Sequence, residues 1–152
     1  MKTNYALVVL RVFLGTIFAF AVWPKIAAGP RFPMMLTGFL HNVGLSNASP
    51  FYQAFLSGTV LPHIGAFAVL IVLAESCVAI ALITGTATRL AGVVAMVLVT
   101  NYMLAKGMWW WMPASNDSAD FFIALALVIG AAGRTLGVDA YLSKRWPHVP
   151  LW

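Results

Sequence analysis

Four apolar stretches each approach the length an α-helix needs to cross a hydrocarbon core, about 20 residues. They cover roughly residues 4–27, 63–84, 88–107 and 119–137. Turn and cap signals separate them. Pro62 precedes the second and Thr84-Gly85 follows it, Lys106-Gly107 closes the third, and "PASNDSAD" and "GAAGRTLG" bracket the fourth. Spanning segments must satisfy their own backbone hydrogen bonds, so this pattern predicts an all-α integral membrane four-helix bundle in a single domain.

Composition removes the alternatives. Hydrophobic residues make up 62% of the 152 and charged residues only 9%, where soluble domains carry about 25% charged. The net charge of +5 is scattered, without a basic run, so nucleic acid is not an expected partner. Residues 2–21 resemble a signal peptide, with Lys2, an apolar core and Ala19-Phe20-Ala21. The apolar stretch continues to Ala28, however, and is read as a spanning helix. The single cysteine, Cys77, makes neither a disulfide nor a CxxC pair and is expected to be a small buried hydrophobe. His41, His63 and His148 lack a second ligand at helical spacing. No metal site is expected, and His41 or His63 could at most offer a lone axial ligand to a haem or pigment.

Between the first two spans, Phe32, Met35, Leu36, Phe39, Leu40 and Val43 follow helical spacing and make one apolar stripe, with Thr37 and His41 turned away. The helix that carries this stripe, within the segment 30–60, is not long or apolar enough to span. It is read as an amphipathic helix at the membrane interface, with a second short piece at Phe51–Leu56. One side of the membrane receives Lys2, Arg89, Arg134, Lys144 and Arg145, and the other Lys25, Arg31 and Lys106. That bias places both termini, and the tail 138–152, in the cytoplasm of a cell whose inner (cytoplasmic) membrane holds the chain. Trp23 and Trp109–Trp111 then belong to the outer aromatic belt, and Trp146 and Trp152 to the inner one.

Charges inside spans are costly, about 2.5–3.5 kcal/mol at a helix centre on insertion scales, so they turn inward and find partners. Arg11 and Glu75 fall inside the first and second spans, at depths that look similar when counted from the helix ends. An Arg11–Glu75 intramembrane ion pair is the first expected contact. Asn4, Arg11, Gly15, Phe18, Val22 and Lys25 share one face of the first span, and Ala68, Glu75 and Ala79 one face of the second. Ala87, Ala91 and Ala95 make a small-residue ladder on the third, where Asn101 is the one strongly polar residue away from the ends. Asp120, Ala124, Leu127, Ala131 and Arg134 share a face of the fourth. Lys25, Lys106, Asp117 and Asp120 all lie near outer helix ends. They are candidate contacts for the headgroup of a quinone or another amphipathic molecule in an outward-facing pocket; as ordinary interfacial charges they would only face water.

The chain resembles the DoxX family (DoxX/DoxD-like) of small four-helix membrane proteins. The resemblance rests on "LRVFLGTIFAFAVWPKI", "LAESCVAIALITGTATRLAG" and "GRTLGVDAYL". By that resemblance Arg11, Gly15 and Lys25 are family positions of the first span. Glu75 is the acid of the second, Gly85 the turn, Arg89 the arginine opening the third, and Asp120 (with Asp117 as rival) the acid opening the fourth. One branch of the family supplies the small membrane subunit of a thiosulfate:quinone oxidoreductase. The expectation is therefore a membrane subunit of a quinone-linked oxidoreductase, with quinone as the candidate ligand and no covalent cofactor implied. The chain carries no nucleotide-binding glycine loop and no nucleophile–base pair, so electrons would come from a protein partner. The alternative is a non-catalytic accessory or scaffold subunit of a larger membrane complex.

Overall fold

The computed structural model describes residues 5–109, 111–112 and 116–149. Lys2, Asn4, Trp110 and Trp152, named above, lie outside them. Among the described residues the structure is helical throughout, without strands. Helix α1 covers Tyr5–Ala28, α5 Ile64–Thr84, α6 Thr88–Ala105 and α7 Asn116–Ile129. Between α1 and α5 run the shorter helices α2 (Phe32–Phe39), α3 (Leu45–Asn47) and α4 (Pro50–Phe55). A final helix, α8, covers Asp139–Arg145.

Three helical stretches, Tyr5–Asn47, Pro50–Thr84 and Thr88–Ala105, are long and apolar enough to cross a membrane. Helix α7 has 14 residues, about 21 Å of helix against a core of about 30 Å. The fourth stretch expected at 119–137 is interrupted because Ala131 and Leu136 adopt left-handed backbone (φ 45° and 49°). Helix α1 packs against α5 and α7, and α6 packs against the same two. Leu14, Phe18, Val78, Leu82, Ala95 and Leu127 fill the space between them.

The close approach of α1 to α5 sets their register. A Cβ on Gly15 would lie 2.9 Å from Ile83 Cγ1 and 3.1 Å from the Ile83 amide nitrogen, so only glycine lets the backbones meet. The helices run antiparallel. With Gly15 beside Leu82 and Ile83, Val22 is level with Glu75, and Arg11 is level with the 85–87 turn. The expected Arg11–Glu75 pair is therefore not formed. Counting from helix ends misjudged the depth, because α1 extends past the end of α5 by more than a turn. Cys77 also departs from expectation and is exposed. It lies two residues beyond the inward-facing Glu75, about 200° around the helix, on the outer face with Ile80 and Leu73.

The segment between α1 and α5 is not one continuous surface helix. Gly29 takes a left-handed φ of 52°, and two π-type turns, Leu40–Gly44 and Leu56–Val60, separate the short helices. Leu40, Ala48, Tyr52, Leu56 and Val60 are buried with Ala105 of α6 in a second apolar core. The segment thus folds back over α5 and α6.

Candidate functional site

Two polar nodes lie at opposite ends of the bundle. The first surrounds Arg11, which is 2% exposed. Its Nη1 donates to the carbonyls of Ala132 (3.3 Å) and Thr135 (3.4 Å), and its Nη2 to Leu136 (3.1 Å). The fork shape of the guanidinium suits this spread of acceptors. The Asp139 carboxylate, fully buried, accepts from the amides of Ala87 (2.6 Å) and Thr88 (2.9 Å) and from the Thr88 hydroxyl. It caps the N-terminus of α6 from the far end of the chain, where a negative charge is favourable. The left-handed, non-glycine residues Ala87, Ala131 and Leu136 all lie in the turns around these two charges. Such strain persists only where surrounding bonds over-determine the backbone. Gly85 ends α5 in left-handed conformation (φ 74°), and a Cβ there would collide with the Arg11 guanidinium and with Gly137 Cα. The node is packed solid. It latches the segment after α7 onto α1 and α6.

The second node is open. Lys25, at the end of α1, reaches back toward Glu75 of α5, and its ammonium donates to both carboxylate oxygens. The Glu75 side chain is 0% exposed and that of Lys25 is 23% exposed. The hydroxyl of Tyr102, on α6, donates to Glu75 Oε1 at 2.6 Å, and the Lys25 ammonium lies 5.6 Å from the Tyr102 ring centre. Three helices thus converge on one buried carboxyl group, which is paired and hydrogen-bonded as a buried polar group must be.

A cavity of about 430 Å³ opens against this node, with Lys25, Glu75, Tyr102 and Lys106 on its polar side. Its apolar wall is Phe32, Met35, Leu36 and Phe39 of α2 together with Ile71 and Pro24. The stripe read as an interfacial face is the wall of this cavity, and Leu40 continues it into the second core. Few polar groups converging on an apolar hollow is the usual form of a small-molecule site.

The other candidate residues fall as follows. Lys106 Nζ pairs with Asp117 Oδ2 at 2.7 Å, so Asp117 holds Lys106 at the rim without itself lining the cavity. Asp120 is half-buried one turn further along α7 and is also absent from the lining. Arg89 is half-buried in the first turn of α6. Asn101 accepts from the Tyr52 hydroxyl at 2.9 Å and donates to the Val97 carbonyl at 2.8 Å. Tyr102 and Asp139 were not among the sequence-derived candidates. Tyr102 could have been found four residues before Lys106, on the same face of α6, and Asp139 lies within the "GRTLGVDAYL" motif. Among the described residues no group of three His, Cys, Asp or Glu side chains comes together.

The family model described as "TQO small subunit DoxD" matches residues 6–151. The chain belongs to this DoxD family. The match covers nearly the whole length, and the family it shows is DoxD, a DoxX-like membrane family. Comparison with curated proteins and with solved structures returns no match. DoxD membership and three apolar helices of spanning length make the chain a multi-pass membrane protein. Its outer faces carry exposed apolar side chains, among them Val9, Phe20, Val69, Ile80, Val93 and Ile129, and such apolar helices imply contact with lipid.

Proposed function

We propose that this DoxD-family chain is the membrane subunit of a quinone-linked oxidoreductase and that the cavity beside Glu75 takes the quinone headgroup. The observation that carries the reading is a lysine, a carboxylate and a phenol joined at one wall of an otherwise apolar hollow. Quinone carbonyls accept hydrogen bonds, and the Lys25 and Lys106 ammonium groups supply donors. A quinol hydroxyl donates, and the phenolic oxygen of Tyr102, whose own proton goes to Glu75, supplies an acceptor with Glu75 sealed behind it. Lys106 provides a second cation at the rim, oriented by Asp117. In this reading Asp120 has no contact with the headgroup. The bound quinone supplies two-electron chemistry, while electrons pass to or from a partner subunit. Helix α7 with the turns after it serves as a fourth, shortened crossing. Both termini face the cytoplasm, as the distribution of lysine and arginine favours.

The test is native mass spectrometry of the chain gently extracted from its own membrane, beside the Lys25→Met and Tyr102→Phe variants. The expected result is a quinone mass on the native chain that is reduced or lost in both variants. A chain seen only in a stoichiometric assembly, with no small molecule of its own, would instead make it an accessory subunit.

A further inference from the structure

A second cavity of about 240 Å³ lies between the α2–α4 segment and helices α5 and α6. It shares the lining residues Leu36, Phe39, Ile71 and Tyr102 with the first, so the two chambers lie side by side, with Tyr102 at their common edge. Their chemistry differs. The first presents two lysines and a glutamate. The second presents aliphatic and aromatic side chains, with Tyr52, Phe55 and Phe67 in edge and tilted ring contacts. Its polar side chains already satisfy one another or the backbone. The Tyr52 hydroxyl is bonded to Asn101 Oδ1, and Asn101 Nδ2 to the Val97 carbonyl. An occupant of this chamber therefore meets hydrocarbon and makes no further polar demand.

We infer that the second chamber is the binding site for the hydrocarbon chain of the same amphiphile whose headgroup sits beside Glu75. The inference rests on the quinone reading and deepens it: the ligand is a long-chain quinone that passes Tyr102, with the first part of its chain against the π-type turn at Leu56–Val60. The chambers adjoin, and one offers charge where the other offers none, which matches the two ends of such a molecule. A chain leaving lipid for an apolar protein wall gains little from the hydrophobic effect, since lipid is equally apolar. The signature is therefore where the chain lies, more than how tightly the molecule binds.

The experiment uses the full chain in lipid nanodiscs and a decyl-quinone bearing a diazirine near the chain end. Photolabelling is read by peptide mass spectrometry, with and without an excess of unlabelled decyl-quinone. Saturable, competed labelling on Leu56, Val60, Phe67 or Leu98 is expected, and the Val97→Trp variant, which adds bulk at an exposed lining position, should abolish it. A quinone without a chain should still bind that variant. Competed labelling confined to lipid-facing residues such as Phe20 or Ile80 would overturn the chain site and leave the headgroup site standing. Labelling of the second chamber that excess quinone does not reduce would make it a slot for lipid acyl chains, also overturning the inference. Absence of saturable labelling anywhere, together with no binding of the chainless quinone, would instead remove the quinone reading itself.

Discussion

Lys25 and Glu75 are joined across the α1–α5 interface although Val22, not Lys25, is level with the carboxylate. The lysine lies a helical turn further out and reaches back along its own helix, keeping its ammonium partly exposed while Glu75 is sealed. Long cationic side chains behave this way at apolar boundaries. Removing one partner of a buried pair typically costs about 3–5 kcal/mol, because the other charge is left unpaired. Lys25→Met is expected near the low end of that range, since solvent screens an ammonium that is partly exposed. The double variant Lys25→Met/Glu75→Gln should recover much of the loss. Thermal unfolding of the four proteins in one detergent makes the double-mutant cycle; purely additive losses would show that the pair contributes nothing as a pair.

Gly29 and Gly85 share a left-handed backbone but not its surroundings. A Cβ on Gly29 meets nothing within 4 Å, whereas one on Gly85 would overlap the Arg11 guanidinium and Gly137. Gly29→Ala should cost only the backbone strain, about 1 kcal/mol. Gly85→Ala should cost more, because it also displaces Arg11 from its three carbonyls, each unmet polar group adding about 1–3 kcal/mol. Equal losses in unfolding midpoint would mean that the Arg11 node does not hold the turn in place.

Arg11 ties α1 to the backbone after α7, so its loss should be felt far away in sequence. Arg11→Lys keeps the charge but cannot reach three divergent acceptors. Amide exchange in residues 132–145 is expected to quicken in that variant, while the α5 core near Val78 and Leu82 stays protected. Asp139→Asn should quicken exchange at Ala87 and Thr88, whose amides it caps. Uniform acceleration across all helices would argue that the node stabilises the whole bundle and is not a local latch.

The helix faces were legible because they depend only on a period of 3.6 residues. Arg11, Gly15, Phe18 and Val22 are buried together on α1, and Ala68, Glu75 and Ala79 on α5. The partner of Glu75 was not legible, because pairing depends on register between two helices. That register is set by a contact between Gly15 and Ile83 which no single-helix pattern contains. Tyr102 was overlooked because an aromatic near a helix end reads as part of the interfacial belt. Asp139 was overlooked because it follows the last apolar stretch, where a carboxylate reads as a solvated tail residue. The π-type turns at Leu40–Gly44 and Leu56–Val60 leave no mark in the apolar stripe, so the sequence between α1 and α5 reads as surface helix although it folds into a cavity wall.

Tyr102 offers the most discriminating substitution. Tyr102→Phe preserves the ring beneath Lys25 and removes only the hydroxyl that donates to Glu75. A hydrogen bond to a charged group is worth about 1.5–3 kcal/mol, but Lys25 still neutralises the carboxylate, so the loss of stability should fall at the lower end. Ligand binding should suffer as well if the phenol also serves the headgroup. Loss of a hydrogen bond to the neutral headgroup, about 0.5–1.5 kcal/mol, corresponds to a weakening of about two- to tenfold, with every 1.4 kcal/mol a factor of ten. Titration of a chainless quinol into wild type and Tyr102→Phe in the same nanodiscs measures it, with Tyr52→Phe as the comparison. Tyr52 bonds Asn101 in the second chamber, away from the ion pair, so its loss should leave chainless quinol binding unchanged. Equal weakening in both variants would place the headgroup across both chambers, and no weakening in Tyr102→Phe would confine the phenol to supporting Glu75.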